Sequence, residues 1–311
     1  MLPNAFFTIN GKEYGSMYGV CIAIGILCCF IMLSVYVKKK NVDQKIADFV
    51  FYDAIIAIAL GFLSATLFQS VYNYLENPSA GFEFGGMTFI GGLIGGVAVF
   101  LVIYFATKNN IRKNYKGTLS DILPIAPSCI TVAHAFGRLG CLCAGCCYGK
   151  KQDGFPGLWM RVWENGRTVE GYYLPTQLYE ALFLFALCAV LTYLAYSKKY
   201  KRPADNLAFY LLAYGVWRFF LEYLRADDRG KLFNILSPSQ FWSVLMVLIG
   251  LFILFGLPAI ESRFAAKKPV NSPSTAENEP VTATIAETLT DSTADNSDKT
   301  DTIGDSENKN D

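Results

Sequence analysis

The sequence predicts an all-α polytopic membrane protein with about seven transmembrane helices, the N-terminus outside and the C-terminus in the cytoplasm. Of its 311 residues, 53% are hydrophobic and only 17% are charged, whereas soluble domains usually carry about 25% charged residues. The apolar residues are gathered into runs near the ~20 residues that a helix needs to cross a bilayer. Basic residues cluster after alternate runs, which sets the orientation.

Seven apolar runs are the expected spans. The fourth is short, and Pro124 and Pro127 interrupt it. A core helix or a re-entrant segment is therefore an alternative there. In chain order, the expected spans are 17–37, 48–70, 84–107, 121–137, 177–197, 206–224 and 240–260.

Lysine and arginine residues follow the first, third, fifth and seventh spans, as in cytoplasmic segments. Two segments on the expected outer side, 138–176 and 225–239, also carry basic residues. Positive charge kept on this side indicates a use for it, such as holding a phosphate group. The alternative is that loops of this length tolerate charge, because the rule is statistical.

The chain divides into a membrane domain at 1–268 and a disordered acidic tail at 269–311. Residues 271–311 include ten acidic residues, two lysines and no aromatic residue. Such a composition buries too little apolar surface to offset the loss of chain entropy. Because the whole chain has a net charge of +1 and this stretch −8, the remaining body is about +9, which suits anionic lipids.

A cysteine- and glycine-rich motif, GRLGCLCAGCCYG, occupies residues 137–149 and contains Cys141, Cys143, Cys146 and Cys147. The spacing is compatible with a metal or redox centre, with a disulfide on an oxidising outer face, or with small residues in a packed turn. No second Cys/His pair follows at ligand spacing, and adjacent cysteines are poor partners for one tetrahedral site. We therefore assign no metal ligand and expect no cofactor.

A polar stripe runs along the sixth span. Its members are Tyr214, Arg218, Glu222 and Arg225. At 100° per residue they fall within an arc of roughly 80°. A charge at the centre of a membrane costs at least about 2.5–3.5 kcal/mol, so the stripe faces a cavity or a partner helix. Arg218 and Glu222 can pair at i, i+4. Either this pair only fixes packing, or the remaining arginine favours anion binding.

Three further polar residues lie near the expected outer boundary. Arg138 follows the fourth span, and Gln177 lies in the first turn of the fifth, where a lipid headgroup would be. His134, the only histidine, precedes Arg138 by four residues. It is either a general base or a packed residue of the helix.

Five motifs occur in the order found in bacterial prolipoprotein diacylglyceryl transferases, and the chain resembles that family over about residues 14–260. The motifs are YGSMYG, GGMTFIGGLIGG, GRLGCLCAGCCYG, PTQLYEAL and YGVWRFFLEYLR. Enzymes of this family move the diacylglyceryl group of phosphatidylglycerol to the lipobox cysteine thiol of prolipoproteins and release glycerol phosphate. The resemblance implies this function for the domain at 1–268, in the bacterial cytoplasmic membrane as a multi-pass protein. Its implied partners are phosphatidylglycerol, lipobox segments and membrane lipids, without nucleic acid.

The resemblance also implies roles for particular residues. Arg138 matches the arginine of the family's signature and Gly149 its closing glycine, whereas Gln177 enters by its position at the boundary. The expected catalytic residues are Tyr14, Tyr214, Arg218 and Glu222, and the expected phosphatidylglycerol-binding residues are Arg138, Gly149 and Gln177.

The chain departs from the family at three motif positions, and its second span lacks the family's usual Gly-Arg pair. Ile90, Cys141 and Cys146 stand where the family has histidine, asparagine and glutamate. Two other classes of function are therefore alternatives. One is a membrane thiol-redox or metal-binding protein on the same scaffold, and the other is a non-catalytic lipid-binding or transport protein.

Overall fold

The structure is a computed structural model that describes residues 7–9, 12–14, 16–82, 84, 86, 88–164, 167–197, 199–226 and 237–260. The helices in these ranges are α1 (Met17–Lys40), α2 (Gln44–Glu76), α3 (Phe89–Ala106), α4 (Leu119–Ile122), α5 (Ala126–Ala144), α6 (Thr176–Ser197), α7 (Asp205–Leu221) and α8 (Pro238–Leu251). The strands are β1 (Phe7–Ile9), β2 (Lys12–Tyr14), β3 (Lys151–Gln152), β4 (Leu158–Glu164) and β5 (Arg167–Tyr173). The expected disordered tail at 269–311 lies outside the described residues.

Among the described residues, five helices are long and apolar enough to cross a membrane. They cover Met17–Lys40, Gln44–Leu75, Thr176–Ser197, Asp205–Leu224 and Pro238–Ile260. These helices confirm a mostly helical, polytopic membrane protein. The third expected span corresponds to a shorter apolar helix, Gly91–Ala106.

The fourth expected span is divided between α4 and α5. Pro124 and Pro127 flank the start of α5, where a missing N–H costs no helical hydrogen bond. The helix then packs between α1 and α6, and much of one face is buried. It is not among the helices that are apolar enough to span.

The all-α prediction is wrong for the segment after α5, which contains a three-stranded antiparallel sheet in the order β3–β5–β4. Strands β4 and β5 pair from Leu158↔Tyr173 to Glu164↔Arg167, so that only two residues, Asn165 and Gly166, connect them. Asn-Gly between two such strands is a strong hairpin signal in a sequence. The prediction of helices alone rested on the large hydrophobic fraction of the chain.

The sheet covers the cysteine-rich turn. Met160, Val162 and Tyr173 form a buried cluster, against which Leu142 and Tyr148 pack. A second buried cluster joins α5, α6 and α7 and holds Tyr214 in place. Its buried members are Ala135, Leu184, Leu187, Leu191, Tyr210 and Tyr214.

Candidate active site

The polar stripe predicted on the sixth span is present along α7 and the 3₁₀ turn Glu222–Leu224 that follows it. Arg218 Nη1 lies 2.8 Å from Glu222 Oε2, and Arg225 Nε lies 3.9 Å from the same oxygen. The side chains of the closer pair are only 9% and 10% exposed. The predicted i, i+4 pair is therefore confirmed, and Glu222 lies between two guanidinium groups.

The start of α8 completes this end of the site. Arg218 Nη2 donates a hydrogen bond to Ser239 Oγ at 2.9 Å, and Ser237 Oγ donates to Glu222 Oε1 at 3.0 Å. Ser237 is also the N-cap of α8 in a capping box with Gln240. Sequence reasoning missed both serines, although the Ser-x-x-Gln pattern before an apolar run marks such a helix start.

A second cluster is organised around Glu180 of α6, which is fully buried. Arg138 Nε of α5 lies 3.0 Å from Glu180 Oε2, and the Tyr214 hydroxyl of α7 donates to Glu180 Oε1 at 2.8 Å. His134 Nε2 lies 3.5 Å from the Tyr214 hydroxyl oxygen and 3.9 Å from Glu180 Oε1. One carboxylate thus connects three helices.

The ion pair with Glu180 engages only part of the Arg138 guanidinium. Glu180 contacts its Nε edge, whereas a guanidinium has five N–H donors in all. The Arg138 side chain keeps 18% exposure, compared with 1% for Glu180. The arginine is therefore held from one side by a buried carboxylate and remains able to bind an anion on another.

The first turn of α6 fixes the turn that follows α5. Gln177 Nε2 donates to the carbonyl oxygen of Cys146 at 2.7 Å, and Thr176 Oγ1 donates to that of Cys147 at 2.9 Å. Gln177 and Thr176 are almost completely buried. In the described residues, the amide of Gln177 therefore braces the backbone of the cysteine-rich turn.

Gly149 lies at the junction of this turn with the polar stripe. It forms an isolated antiparallel bridge with Arg225, and its N–H donates to the carbonyl oxygen of Leu174 at 2.8 Å. A Cβ atom at this position would lie 2.6 Å from the carbonyl oxygen of Leu224. Glycine is required because the backbones approach too closely for a side chain, and this approach positions Arg225.

The model of the family described as prolipoprotein diacylglyceryl transferase matches residues 4–256. The chain belongs to this family. Curated relatives of the chain are named as transferases.

Three curated proteins illustrate the relationship, each named phosphatidylglycerol–prolipoprotein diacylglyceryl transferase. The protein of Clostridium tetani is 33% identical over 259 residues, which is 81% of this chain and 96% of that protein. The second such transferase of Clostridium perfringens is 30% identical over 251 residues, with coverage of 79% and 92%. The protein of Acinetobacter baumannii is 30% identical over 247 residues, with coverage of 76% and 86%.

The structure brings most of the predicted site residues of this family member together. Tyr214, Arg218 and Glu222 share the stripe, and Arg138 joins it through Glu180. Tyr14 ends strand β2, which pairs with β1, but its side chain, like that of Ile90, lies outside the described part of the chain. Sequence reasoning placed Glu180 with Gln177 in the first turn of the fifth span, at the expected level of a lipid headgroup, but did not include it among the site residues. A carboxylate inside an apolar span is costly unless it is paired, and this signal could have found it.

The cysteines of the motif form a cluster at the same turn. The Sγ atoms of Cys141, Cys146 and Cys147 all lie within 4.8 Å of one another, and no disulfide joins the described cysteines. Hydrogen bonds from the thiols of Cys141 and Cys146, together with the Arg225 guanidinium, hold the pKa of the Cys147 thiol well below its usual range. Cys143 is not part of this group.

Proposed function

We propose that this chain transfers the diacylglyceryl group of phosphatidylglycerol to the lipobox cysteine thiol of prolipoproteins and releases glycerol phosphate. The observation that carries the proposal is the joined pair of arginine–glutamate clusters in a member of the family. Arg138 and Arg218 belong to different helices, yet each is paired to a buried or nearly buried carboxylate. Ionisable side chains are costly inside a membrane, and their presence in membrane helices marks functional sites.

The charges of the two clusters favour an anionic substrate. Arg138 faces Glu180, and Arg218 and Arg225 face Glu222, while the Arg138 side chain keeps 18% exposure. The phosphodiester of phosphatidylglycerol carries one negative charge. Guanidinium groups bind phosphate oxygens through paired N–H donors, so the exposed part of the Arg138 guanidinium is suited to holding the headgroup.

The same charges suit the reaction. The lipobox thiol gives up its proton, a bond forms from its sulfur to the terminal glyceryl carbon, and the bond from that carbon to the phosphate oxygen breaks. The departing glycerol phosphate takes up the proton. The electron pair leaves with the phosphate, so the negative charge on the phosphate grows along the reaction. Arg138 and Arg218, held in advance by Glu180 and Glu222, stabilise that growing charge, and guanidinium groups near the thiol favour its thiolate form.

The other predicted site residues have supporting roles in this proposal. Tyr214 orients the headgroup with a hydroxyl that Glu180 holds at 2.8 Å, and Tyr14 does so from the start of the chain. Gln177 Oε1 is buried and has no hydrogen-bond partner among the described residues, which leaves an acceptor for a lipid hydroxyl group. Gly149 acts by allowing the close approach that positions Arg225.

We further propose a multi-pass protein of the bacterial cytoplasmic membrane with seven spans, an outer N-terminus and a cytoplasmic C-terminus. The basic residues after alternate spans support this orientation. The site supports it as well, because its clusters are built where the segments 138–176 and 225–239 meet the helices. These are the two segments that carry positive charge on the expected outer side.

The test incubates the purified full chain with phosphatidylglycerol vesicles and a synthetic lipobox peptide. Mass spectrometry is expected to show the diacylglyceryl mass on the peptide, and vesicles of phosphatidylcholine alone to give none. Arg218→Gln is expected to abolish transfer. Arg161→Gln is the matched control, because Arg161 is 63% exposed and pairs only at the surface with Glu170. Phosphatidylglycerol binding without transfer would refute the proposal and favour a non-catalytic lipid-binding protein.

A further inference from the structure

The three clustered thiols are the one group of possible soft-metal ligands found among the described residues. Cys141 lies in the last turn of α5, and Cys146 and Cys147 lie in the turn that follows. All three are half-buried, so an ion can reach them. The cluster takes no part in the transfer chemistry proposed above.

The backbone of the turn is what brings adjacent cysteines to the same point. Cys147 has a φ of 62°, a left-handed conformation that non-glycine residues rarely adopt. Gly145 just before it also has a positive φ, of 69°. The N–H of Cys146 donates to the carbonyl oxygen of Cys141 at 3.2 Å. In the sequence, the adjacency of Cys146 and Cys147 argued against a shared metal site. The positive φ angles turn the backbone so that both sulfur atoms lie near that of Cys141.

Groups outside the turn hold it in this conformation. The side chains of Gln177 and Thr176 bind the carbonyl oxygens of Cys146 and Cys147. An unusual backbone conformation held by buried side chains from another helix is a feature that functional sites share. The clustering of the thiols is therefore built by the fold.

We propose that Cys141, Cys146 and Cys147 bind one thiophilic metal ion, Zn²⁺ or Cu⁺, as a three-thiolate site. Thiolates are the ligands that these ions prefer. A zinc–sulfur distance of about 2.3 Å places tetrahedral ligands about 3.8 Å apart, and the sulfur atoms already lie within 4.8 Å of one another. Arg138 and Arg225 interact electrostatically with these thiols and offset the negative charge of a three-thiolate complex.

The bound ion would connect the two ends of the candidate active site. Cys141 follows Arg138 by three residues on α5, and Cys147 precedes Gly149, whose backbone is bridged to Arg225. The ion would thereby help to fix the positions of Arg138 and Arg225. The metal site can exist whether or not the chain transfers diacylglyceryl groups, so its test needs no activity measurement.

The first experiment uses the reduced, chelator-treated full chain in detergent, with Zn²⁺ alone as the probe. After removal of free ion, elemental analysis is expected to find one zinc per chain. Co²⁺ in place of Zn²⁺ is expected to give the near-ultraviolet absorption of cobalt–thiolate bonds. In a separate experiment, Cu⁺ is added under anaerobic conditions in place of Zn²⁺, and the retained copper is measured in the same way. Failure of the reduced chain to retain either Zn²⁺ or Cu⁺ would overturn the proposal.

A second measurement identifies the ligands in the unaltered chain, so its result does not depend on whether a substituted chain folds. The retained ion is expected to protect Cys141, Cys146 and Cys147 from alkylation and to leave the reactivity of Cys143 unchanged, as read by peptide mass spectrometry. Equal protection of all four cysteines, or of none, contradicts the assignment. Among variants, Cys146→Ser is expected to weaken zinc binding by at least tenfold, and Cys143→Ser is the matched control that retains it.

Discussion

Replacement of the buried carboxylate that holds Arg138 is the sharpest test of the site. Glu180→Gln keeps the shape of the side chain but removes its charge, while Arg138 and Tyr214 remain beside it. Removal of one partner of a buried pair costs about 3–5 kcal/mol. Because the Arg138 side chain is 18% exposed, we expect the lower end, about 3 kcal/mol. If this loss falls on the transition state, kcat/KM drops by about 100-fold.

The assay measures transfer to a fluorescent lipobox peptide at several phosphatidylglycerol concentrations, beside thermal unfolding in the same detergent. We expect a raised KM for the lipid together with the loss of rate, since Glu180 acts by positioning a lipid-binding arginine. Glu170→Gln is the matched control, because Glu170 is 47% exposed and surface ion pairs contribute little. Transfer within twofold of the unaltered chain by a folded Glu180→Gln variant would refute the reasoning.

Three further predictions concern contacts around the same site. Gly149→Ala is expected to lower stability by about 1–3 kcal/mol, because its methyl group would lie 2.6 Å from a carbonyl oxygen. Thermal unfolding checks this against Gly154→Ala, whose methyl group would meet nothing within 4 Å. Tyr214→Phe removes the 2.8 Å hydrogen bond to a buried carboxylate, so we expect transfer to fall about tenfold, for a loss of roughly 1–3 kcal/mol. Tyr223→Phe, at a 58% exposed site, should leave the transfer rate unchanged. Ser239→Ala breaks the bond from Arg218 at 2.9 Å and is expected to raise the KM for phosphatidylglycerol; an unchanged KM would contradict a role for that contact.

Local patterns predicted the features that depend on a single helix. Five long apolar runs became helices that can span a membrane, because a continuous apolar surface determines both the length and the environment of a helix. The pair of Arg218 and Glu222 followed from spacing alone, since residues four apart lie on one face. The hairpin of β4 and β5 was missed even though its Asn-Gly connection is a local signal.

Contacts between elements that are distant in sequence were beyond such patterns. Glu180 joins Arg138 and Tyr214 across three helices, and no periodicity within one helix indicates which partner helix a carboxylate meets. The serines that bind Arg218 and Glu222 come from the start of α8. Their contacts depend on how that helix packs against α7.

The sequence by itself determined that this chain is a membrane protein of the transferase family and that a stripe of charges runs along α7, because hydropathy, spacing and motif order are local properties. The tertiary structure alone decided that Glu180 is the centre of the Arg138 cluster and that three cysteines meet at one point. The physical reason is that both depend on backbone conformation and helix packing. The left-handed backbone of Cys147 and the hydrogen bonds from α6 bring the thiols together. Neither the backbone conformation nor these hydrogen bonds can be read from the spacing of the residues.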